Sequence, residues 1–137
     1  MDQNIYQAVK GMSAAEMTVR RGGVIVMLAK SCDGDGGEHF HKTFKEEQEL
    51  PHMMKTFLAR SPEETRIDQW QSQILCRVLM KARVIYVSDA DDQTVIDLHM
   101  MPAHTVDEAM AKAVEIVGKE DYKVTVIPDG VSVMVGE

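Results

Sequence analysis

Apolar and polar residues separate onto two sides of a helix near the start of the chain. Over residues 4–12 the apolar side chains recur three or four positions apart, which aligns them along one helical face. They are Ile5, Ala8, Val9 and Met12. The opposite face is polar and carries Tyr6, Gln7 and Lys10. The pattern predicts an amphipathic helix that buries one side and offers the other to solvent or to a ligand.

The next apolar stretch has the character of a strand. Residues 24–29 are continuously apolar, rich in β-branched side chains and preceded by two glycines. Such a run predicts a central strand buried on both faces of a sheet. It leads into the glycine-rich acidic loop DGDGG and then into a helix over residues 38–47. Open α/β sheets commonly bind their ligands where a strand runs into such a loop.

Three capping boxes predict where further helices begin. SAAE indicates a new helical turn at residue 14, SPEE a helix from residue 62 to about 82, and TVDE a helix from residue 106 to about 119. Pro51 interrupts the chain before a short helix over residues 52–59, and residues 94–100 form a short helix or turn. The long helix has an apolar stripe with Trp70 at its edge. The stripe consists of Ile67, Ile74, Leu75, Val78 and Leu79.

Three further strands are predicted, over residues 83–88, 123–127 and 131–135. Helices that alternate with apolar strands are typical of a parallel sheet covered by helices. We therefore expect an α/β fold, layered, with a mainly parallel sheet of about four or five strands, in a single domain over residues 1–137.

Composition narrows the possible partners. The 137 residues carry a net charge of −7 and no basic block, which argues against nucleic acid and against an anionic membrane surface as partners. No apolar run approaches the roughly 20 residues of a membrane helix. Cys32 and Cys76 lack metal or redox spacing, so we expect free thiols in a cytoplasmic protein.

Metal-site and nucleophile motifs do not fit the chain. An EF-hand that starts at Asp33 needs glycine and glutamate where Glu38 and Phe44 stand, and no GK[ST] follows the loop to make a phosphate site. The loop therefore reads as a tight turn whose amides could face an anion. His39 and His41 diverge on a helix, so we expect surface histidines and no metal ligands. The sequence shows no signature of a nucleophile with its base.

Several motifs, in order, resemble one family. DQNIYQAVKGM, AAEMTVRRGGVIVMLA and DGDGGEHF carry the resemblance, which continues more loosely through RVIYVSDAD, MMPAHTVDEA and VIPDGVSVMV. Together they resemble the C-terminal domain of the nickel-dependent lactate racemase family over nearly the whole chain. The family proteins are much longer, so the resemblance implies a fragment that lacks its N-terminal domain. Family members often have histidine at the position of Asp35, so no ligand role is assigned to that residue.

The resemblance implies racemisation or epimerisation of a 2-hydroxyacid by hydride transfer to a nickel-pincer nucleotide. In the family, the catalytic histidines, the lysine that carries the pincer and the histidine that ligates nickel belong to the N-terminal domain. We therefore expect no catalytic residue and no metal ligand in this chain, and no cofactor bound to the isolated fragment. Tyr6, Gln7, Lys10 and Trp70 match family positions that contact cofactor or substrate. Lys10 would neutralise the carboxylate, Gln7 would hydrogen-bond the substrate, and Tyr6 and Trp70 would line the pocket.

Other interpretations remain open at the level of sequence. Without the resemblance, Tyr6, Gln7 and Lys10 are a solvated helix face and Trp70 packs at the edge of a core, as in a non-catalytic α/β small-molecule-binding or regulatory domain. A small hydrolase that uses the acidic loop lacks a general base and an oxyanion site. The racemase interpretation expects Tyr6, Gln7, Lys10 and Trp70 on one exposed concave surface. The substrate could be lactate, a larger 2-hydroxyacid or a sugar acid.

Overall fold

Six α-helices and three β-strands make up the part of the chain that the structure, a computed structural model, describes, residues 3–132. In chain order the elements are α1 (Ile5–Glu16), β1 (Val24–Leu28), α2 (Glu38–Glu46), α3 (Leu50–Ala59), a 3-10 turn (Pro62–Glu64), α4 (Gln69–Lys81), β2 (Arg83–Val87), α5 (Asp92–Asp97), β3 (Met101–Ala103) and α6 (Val106–Val117). The alternation of helices and strands confirms the predicted α/β class.

The three strands form one parallel sheet in the order β1-β2-β3. Val24 pairs with Arg83, and Ile85 pairs with Met101. Helices α1 and α4 pack on one face of the sheet and α6 on the other. Alternate side chains of β2 point to the two faces, so Tyr86 joins the larger core under α1 and α4, whereas Ile85 joins the smaller core under α6. The layered arrangement was predicted correctly.

The strand predictions were only partly right. Among the described strands β1 lies at the edge of the sheet. Only Ile25 is buried and Leu28 is 54% exposed, although a central strand buried on both faces was predicted. Residues 123–127 alternate like a strand but lie unpaired and mostly exposed, because no neighbouring strand in the described part takes up their backbone groups. The last predicted strand, residues 131–135, has its first two residues in a turn and the rest outside the described residues. β3 was missed because it is three residues long and contains Pro102.

The helix boundaries also differ from the capping-box predictions. The SAAE box starts no helix: α1 continues through it, and Glu16 is buried against Arg77, whose guanidinium donates three hydrogen bonds to its carboxylate. The SPEE box is formed, but it opens only a single 3-10 turn. α4 begins seven residues later, after Asp68, which has φ +64°. Pro51 lies in the first turn of α3, where it is tolerated, and does not break it.

The amphipathic pattern of α1 is confirmed. Ile5, Ala8, Val9 and Met12 are all buried in the larger core. The stripe of α4 is confirmed in its middle, where Leu75 and Val78 are buried, whereas Ile67 precedes the helix and is 77% exposed. One face of α1 is therefore buried in the core. Its other face is free to carry a site.

Within residues 3–132, none of the helices is both long enough and apolar enough to span a membrane.

Candidate functional site

The four candidate side chains lie close to one another where α1 meets the start of α4. The rings of Tyr6 and Trp70 make an edge contact with 6.3 Å between their centroids. One turn further along α1, Lys10 Nζ donates a hydrogen bond of 2.8 Å to Gln7 Oε1. Trp70 is 53% exposed, so it is not sealed in the core, and Lys10 is exposed as well. The structure thus brings together the four residues that the sequence singled out.

Tyr6 is the most tightly held of the four. Its hydroxyl donates a hydrogen bond of 2.8 Å to Asp68 Oδ1, and its ring also makes an edge contact with Phe40, 5.4 Å between centroids. Partial burial of the phenol raises the pKa of Tyr6 to about 12, and the hydrogen bond to Asp68 and the negative charge of Asp68 act in the same direction. The tyrosine is therefore a neutral, fixed group at neutral pH.

The DGDGG loop caps α1. Its backbone carbonyls at Gly34 and Asp35 accept hydrogen bonds from the amides of Ile5 and Tyr6, each 3.0 Å long, while Asn4 Oδ1 accepts from the amide of Gln7 at 2.9 Å. These amides are consequently satisfied by the protein itself. Through these carbonyls the loop orients the helix that carries the candidate residues. The expectation that the loop's own amides could face an anion stays a prediction.

Glycine is required at one position of this loop. Gly36 has φ +83°, and a Cβ there would lie 2.4 Å from Asn4 Cγ. The loop backbone therefore approaches the N-cap of α1 too closely for any side chain. Among the glycines of the motif Gly36 makes this close approach, whereas a Cβ at Gly34 would meet nothing within 4 Å.

His41 connects the loop to two other elements. Its Nδ1 lies 3.1 Å from Asp35 Oδ2, and its Nε2 lies 2.9 Å from Asp97 Oδ2. Asp97 also accepts a hydrogen bond from Gln93 and pairs with Lys45 at 3.2 Å. Those partners, Gln93 first, hold the pKa of the Asp97 carboxyl below its usual value. His41 therefore joins the loop, α2 and α5, a role that its sequence position gave no sign of.

Two neighbouring clefts lie beside these elements. The smaller, of about 160 Å³, is lined by Gln7 and by residues of α1, β1 and the segment 128–131. The larger, of about 300 Å³, lies at the carboxyl ends of the parallel strands. Its lining residues are Leu28, Ala29, Lys30, Val87, Ser88, Asp89 and His104. Leu28 and Ala29 line both clefts.

The polar residues of the larger cleft were not among the candidate residues predicted from the sequence. Lys30, Asp89 and His104 fit no catalytic or metal-binding motif. Asp89 and His104 lie in two of the stretches that resemble the family, and all three residues come shortly after a strand end. Of the four candidate residues, only Gln7 lines a cleft. Of the two clefts, the smaller includes Gln7, and neither includes Tyr6, Lys10 or Trp70.

The fold and the site together define a class of protein. A parallel α/β sheet supports a helix with a polar and aromatic face, and within residues 3–132 no three His, Cys, Asp or Glu side chains group together to hold a metal ion. The chain is thus an α/β domain with a parallel sheet. The chain belongs to the family of lactate racemase C-terminal domains, because the model of that family matches residues 1–135.

Its relatives agree with that assignment. The chain is 46% identical over its full length to a lactate racemase of Thermoanaerobacterium thermosaccharolyticum and 45% identical over 98% of its length to a lactate racemase of Lactiplantibacillus plantarum. It covers 32% of each of those proteins. The solved structure of the lactate racemase apoprotein from T. thermosaccharolyticum superposes on 99% of this chain with a TM-score of 0.95, at 47% identity. The chain thus spans about a third of the length of the relatives it matches.

Proposed function

We propose that this chain is the C-terminal domain of a 2-hydroxyacid racemase or epimerase and that its α1 face lines a cleft shared with an N-terminal domain of the same protein. The proposal is supported by relatives that are named lactate racemases and are about three times as long as the chain. The missing two-thirds would provide the partner domain.

One observation carries the proposal within the chain. Tyr6, Gln7 and Lys10 lie on α1, and Trp70 comes from α4, far away in sequence, to contact Tyr6, while Lys10 contacts Gln7. A cation, an amide and two aromatic rings are suited to an anionic, hydroxylated small molecule.

Lys10 would bind the substrate carboxylate. An ammonium group has three donors, and Gln7 uses one of them, so two can point to a carboxylate. Gln7 would in turn hydrogen-bond the substrate. Trp70 and Tyr6 would form an aromatic wall that excludes water from the reacting carbon.

The cofactor would be held elsewhere in the protein. In the part of the chain between residues 3 and 132, no three His, Cys, Asp or Glu side chains come together to hold a metal ion. We propose that these residues form a contacting wall and that the nickel ligands belong to the other domain. When bound, a nickel-pincer nucleotide would supply the hydride acceptor.

The contribution of this chain to inversion would be orientation. A general base of the other domain would take the proton from the hydroxyl oxygen, and the carbon that bears the hydroxyl would lose hydride to the acceptor that the bound cofactor supplies, which would give a planar 2-ketoacid. If Lys10 keeps the carboxylate in place, the ketoacid can turn its other face before hydride returns. Return of hydride to that opposite face inverts the centre.

The test is an inversion assay on the parent protein with its N-terminal part present and its cofactor loaded. D-lactate, L-lactate, larger 2-hydroxyacids and sugar acids are incubated separately, and the products are resolved by chiral chromatography. We expect at least one of them to approach a mixture of both configurations. Retention of configuration in every compound would contradict the proposal.

A binding or regulatory domain is the second candidate. The cleft of about 300 Å³ at the strand ends, with Lys30, Asp89 and His104 in its wall, is the observation in its favour. A parent protein that inverts no 2-hydroxyacid and loses a bound metabolite on Lys30→Ala would place this candidate first.

We propose the cytoplasm as the location of the protein. Cys32 and Cys76 are both unpaired, and burial raises the pKa of the Cys76 thiol to about 11, which keeps it protonated and unreactive. Free thiols of this kind are typical of a reducing compartment.

A further inference from the structure

Asp68 has an unusual backbone conformation for its position. It precedes the first residue of α4 with φ +64°, in the left-handed region that residues with a Cβ seldom adopt. Its carboxylate makes no cap hydrogen bond to its own helix. Instead, the carboxylate accepts the hydroxyl proton of Tyr6 on α1, 62 residues away in sequence. The strained conformation thus directs an acidic side chain onto a residue of the proposed site.

The same turn of α4 holds Tyr6 in two other ways. Gln71 is fully buried, and its Nε2 donates to the backbone carbonyl of Tyr6. Trp70, between Asp68 and Gln71, contacts the Tyr6 ring. The start of α4 therefore holds the hydroxyl, the ring and the backbone of a single residue.

We propose that Asp68 is a positioning residue of the site: by accepting a hydrogen bond from the phenol, it fixes the Tyr6 side chain and leaves Tyr6 Oη to meet a ligand only as a hydrogen-bond acceptor. This inference rests on the proposed function for its ligand, but its structural part concerns Asp68 and Tyr6 alone.

The consequence for recognition follows from the single proton of a phenol. Because its hydrogen is donated to Asp68, Tyr6 Oη can accept a hydrogen bond from a donor, such as the hydroxyl of a bound 2-hydroxyacid before the general base takes that hydrogen, but it cannot pair with a carboxylate. The carboxylate is left to Lys10. The pKa of about 12 agrees with this role, because such a phenol neither loses its proton at neutral pH nor acts as a general base. Tyr6 would thereby select for the hydroxyl group.

The experiment uses the cofactor-loaded parent protein and two substitutions at Asp68. Glycine and asparagine both tolerate a positive φ, so neither Asp68→Gly nor Asp68→Asn adds backbone strain, but only Asp68→Asn keeps an acceptor for Tyr6. KM is measured for a turned-over 2-hydroxyacid, and Ki for the same acid without its hydroxyl. Loss of one neutral hydrogen bond corresponds to a rise of about 2- to 12-fold in KM. We expect KM of the 2-hydroxyacid to rise by that factor in Asp68→Gly, whereas Ki of the acid without a hydroxyl changes little. In Asp68→Asn we expect KM to return towards its value in the unsubstituted protein.

Two controls separate positioning from folding. In a Tyr6→Phe background, Asp68→Gly should raise KM no further, because the proton that Asp68 accepts is gone. Asp107→Gly, a change at an exposed acid in the first turn of α6, should leave KM unchanged. Additive effects of Asp68→Gly and Tyr6→Phe, or an unchanged KM in Asp68→Gly, would overturn the inference.

A second readout does not depend on turnover. In protein labelled with [13Cζ]tyrosine, the signal that disappears in Tyr6→Phe belongs to Tyr6. It should titrate at lower pH in Asp68→Gly than in the unsubstituted protein. An identical titration in both would overturn the positioning role. A parent protein without racemase activity but with a shifted Tyr6 titration would contradict the proposed function alone.

Discussion

The Asp97 carboxylate contacts side chains from both α2 and α5. It receives a hydrogen bond from Gln93, and it faces Lys45 and His41, which also reaches Asp35 of the loop. Stabilisation of the charged form by these partners, above all by the Gln93 hydrogen bond, lowers the pKa of the Asp97 carboxyl in the folded protein. The residue therefore links folding stability to pH.

The sign of that link can be tested. Because the folded pKa of Asp97 is depressed, its contribution is complete above the unfolded pKa of about 3.9 and is lost as pH falls through the lower folded pKa. We expect Asp97→Asn to have a lower Tm than the unsubstituted protein at pH 7, with the difference disappearing in acid. Asp121→Asn, which alters an exposed acid, is the control and should match the unsubstituted protein throughout. A Tm difference for Asp97→Asn that is the same at pH 7 and at pH 3 would contradict this account.

At the scale of elements, α1 was the most predictable part of the fold and α4 the least. The two faces of α1 follow from the spacing of its apolar residues, and all four predicted core residues are buried. The start of α4 could not be predicted, because the positive φ of Asp68 is imposed by tertiary contacts that no local pattern encodes. The burial of Glu16 against Arg77 could not be predicted either, because it depends on a tertiary contact and the SAAE motif has the spacing of a capping box.

The loop before α2 leads to a prediction about the stability of variants at Gly36 and Gly34. Gly36→Ala would place a methyl group 2.4 Å from Asn4 at a φ of +83°, whereas Gly34→Ala, at φ +71°, meets nothing within 4 Å. The positive φ alone costs about 1–2 kcal/mol in either variant. The clash should add about 1–3 kcal/mol in Gly36→Ala, as overpacking does in a close-packed site. Urea unfolding of the two variants measures that difference. Equal destabilisation would show that the loop does not press on the N-cap of α1.

At the scale of the whole molecule, the candidate site was predictable as a set of residues but not as a shape. The resemblance to the family named Tyr6, Gln7, Lys10 and Trp70, and the structure brings them together, yet only Gln7 lines a cleft. Ile67 and Trp70 expose 77% and 53% of their surface beside this face. The second domain that we propose would cover exposed apolar surface of this kind.

The proposal also predicts how the isolated 137-residue chain behaves towards nickel and 2-hydroxyacids. We expect it to bind no nickel and to invert no 2-hydroxyacid, since the proposal assigns the metal ligands and the general base to the other domain. Elemental analysis of the purified chain and chiral chromatography measure both properties. Stoichiometric nickel in the fragment would show that the division of labour between the domains is wrong.

The central claim is that this chain supplies half of a racemase site, and Lys10 tests it most directly. Lys10→Ala and Lys55→Ala are compared in the cofactor-loaded parent protein, where Lys55 is an exposed lysine on α3 outside the proposed site. A charged hydrogen bond contributes about 1.5–3 kcal/mol, so Lys10→Ala should lower kcat/KM for inversion by about 10- to 150-fold while Lys55→Ala leaves it unchanged. Equal activity in both variants would remove Lys10, and with it the α1 face, from the racemase site.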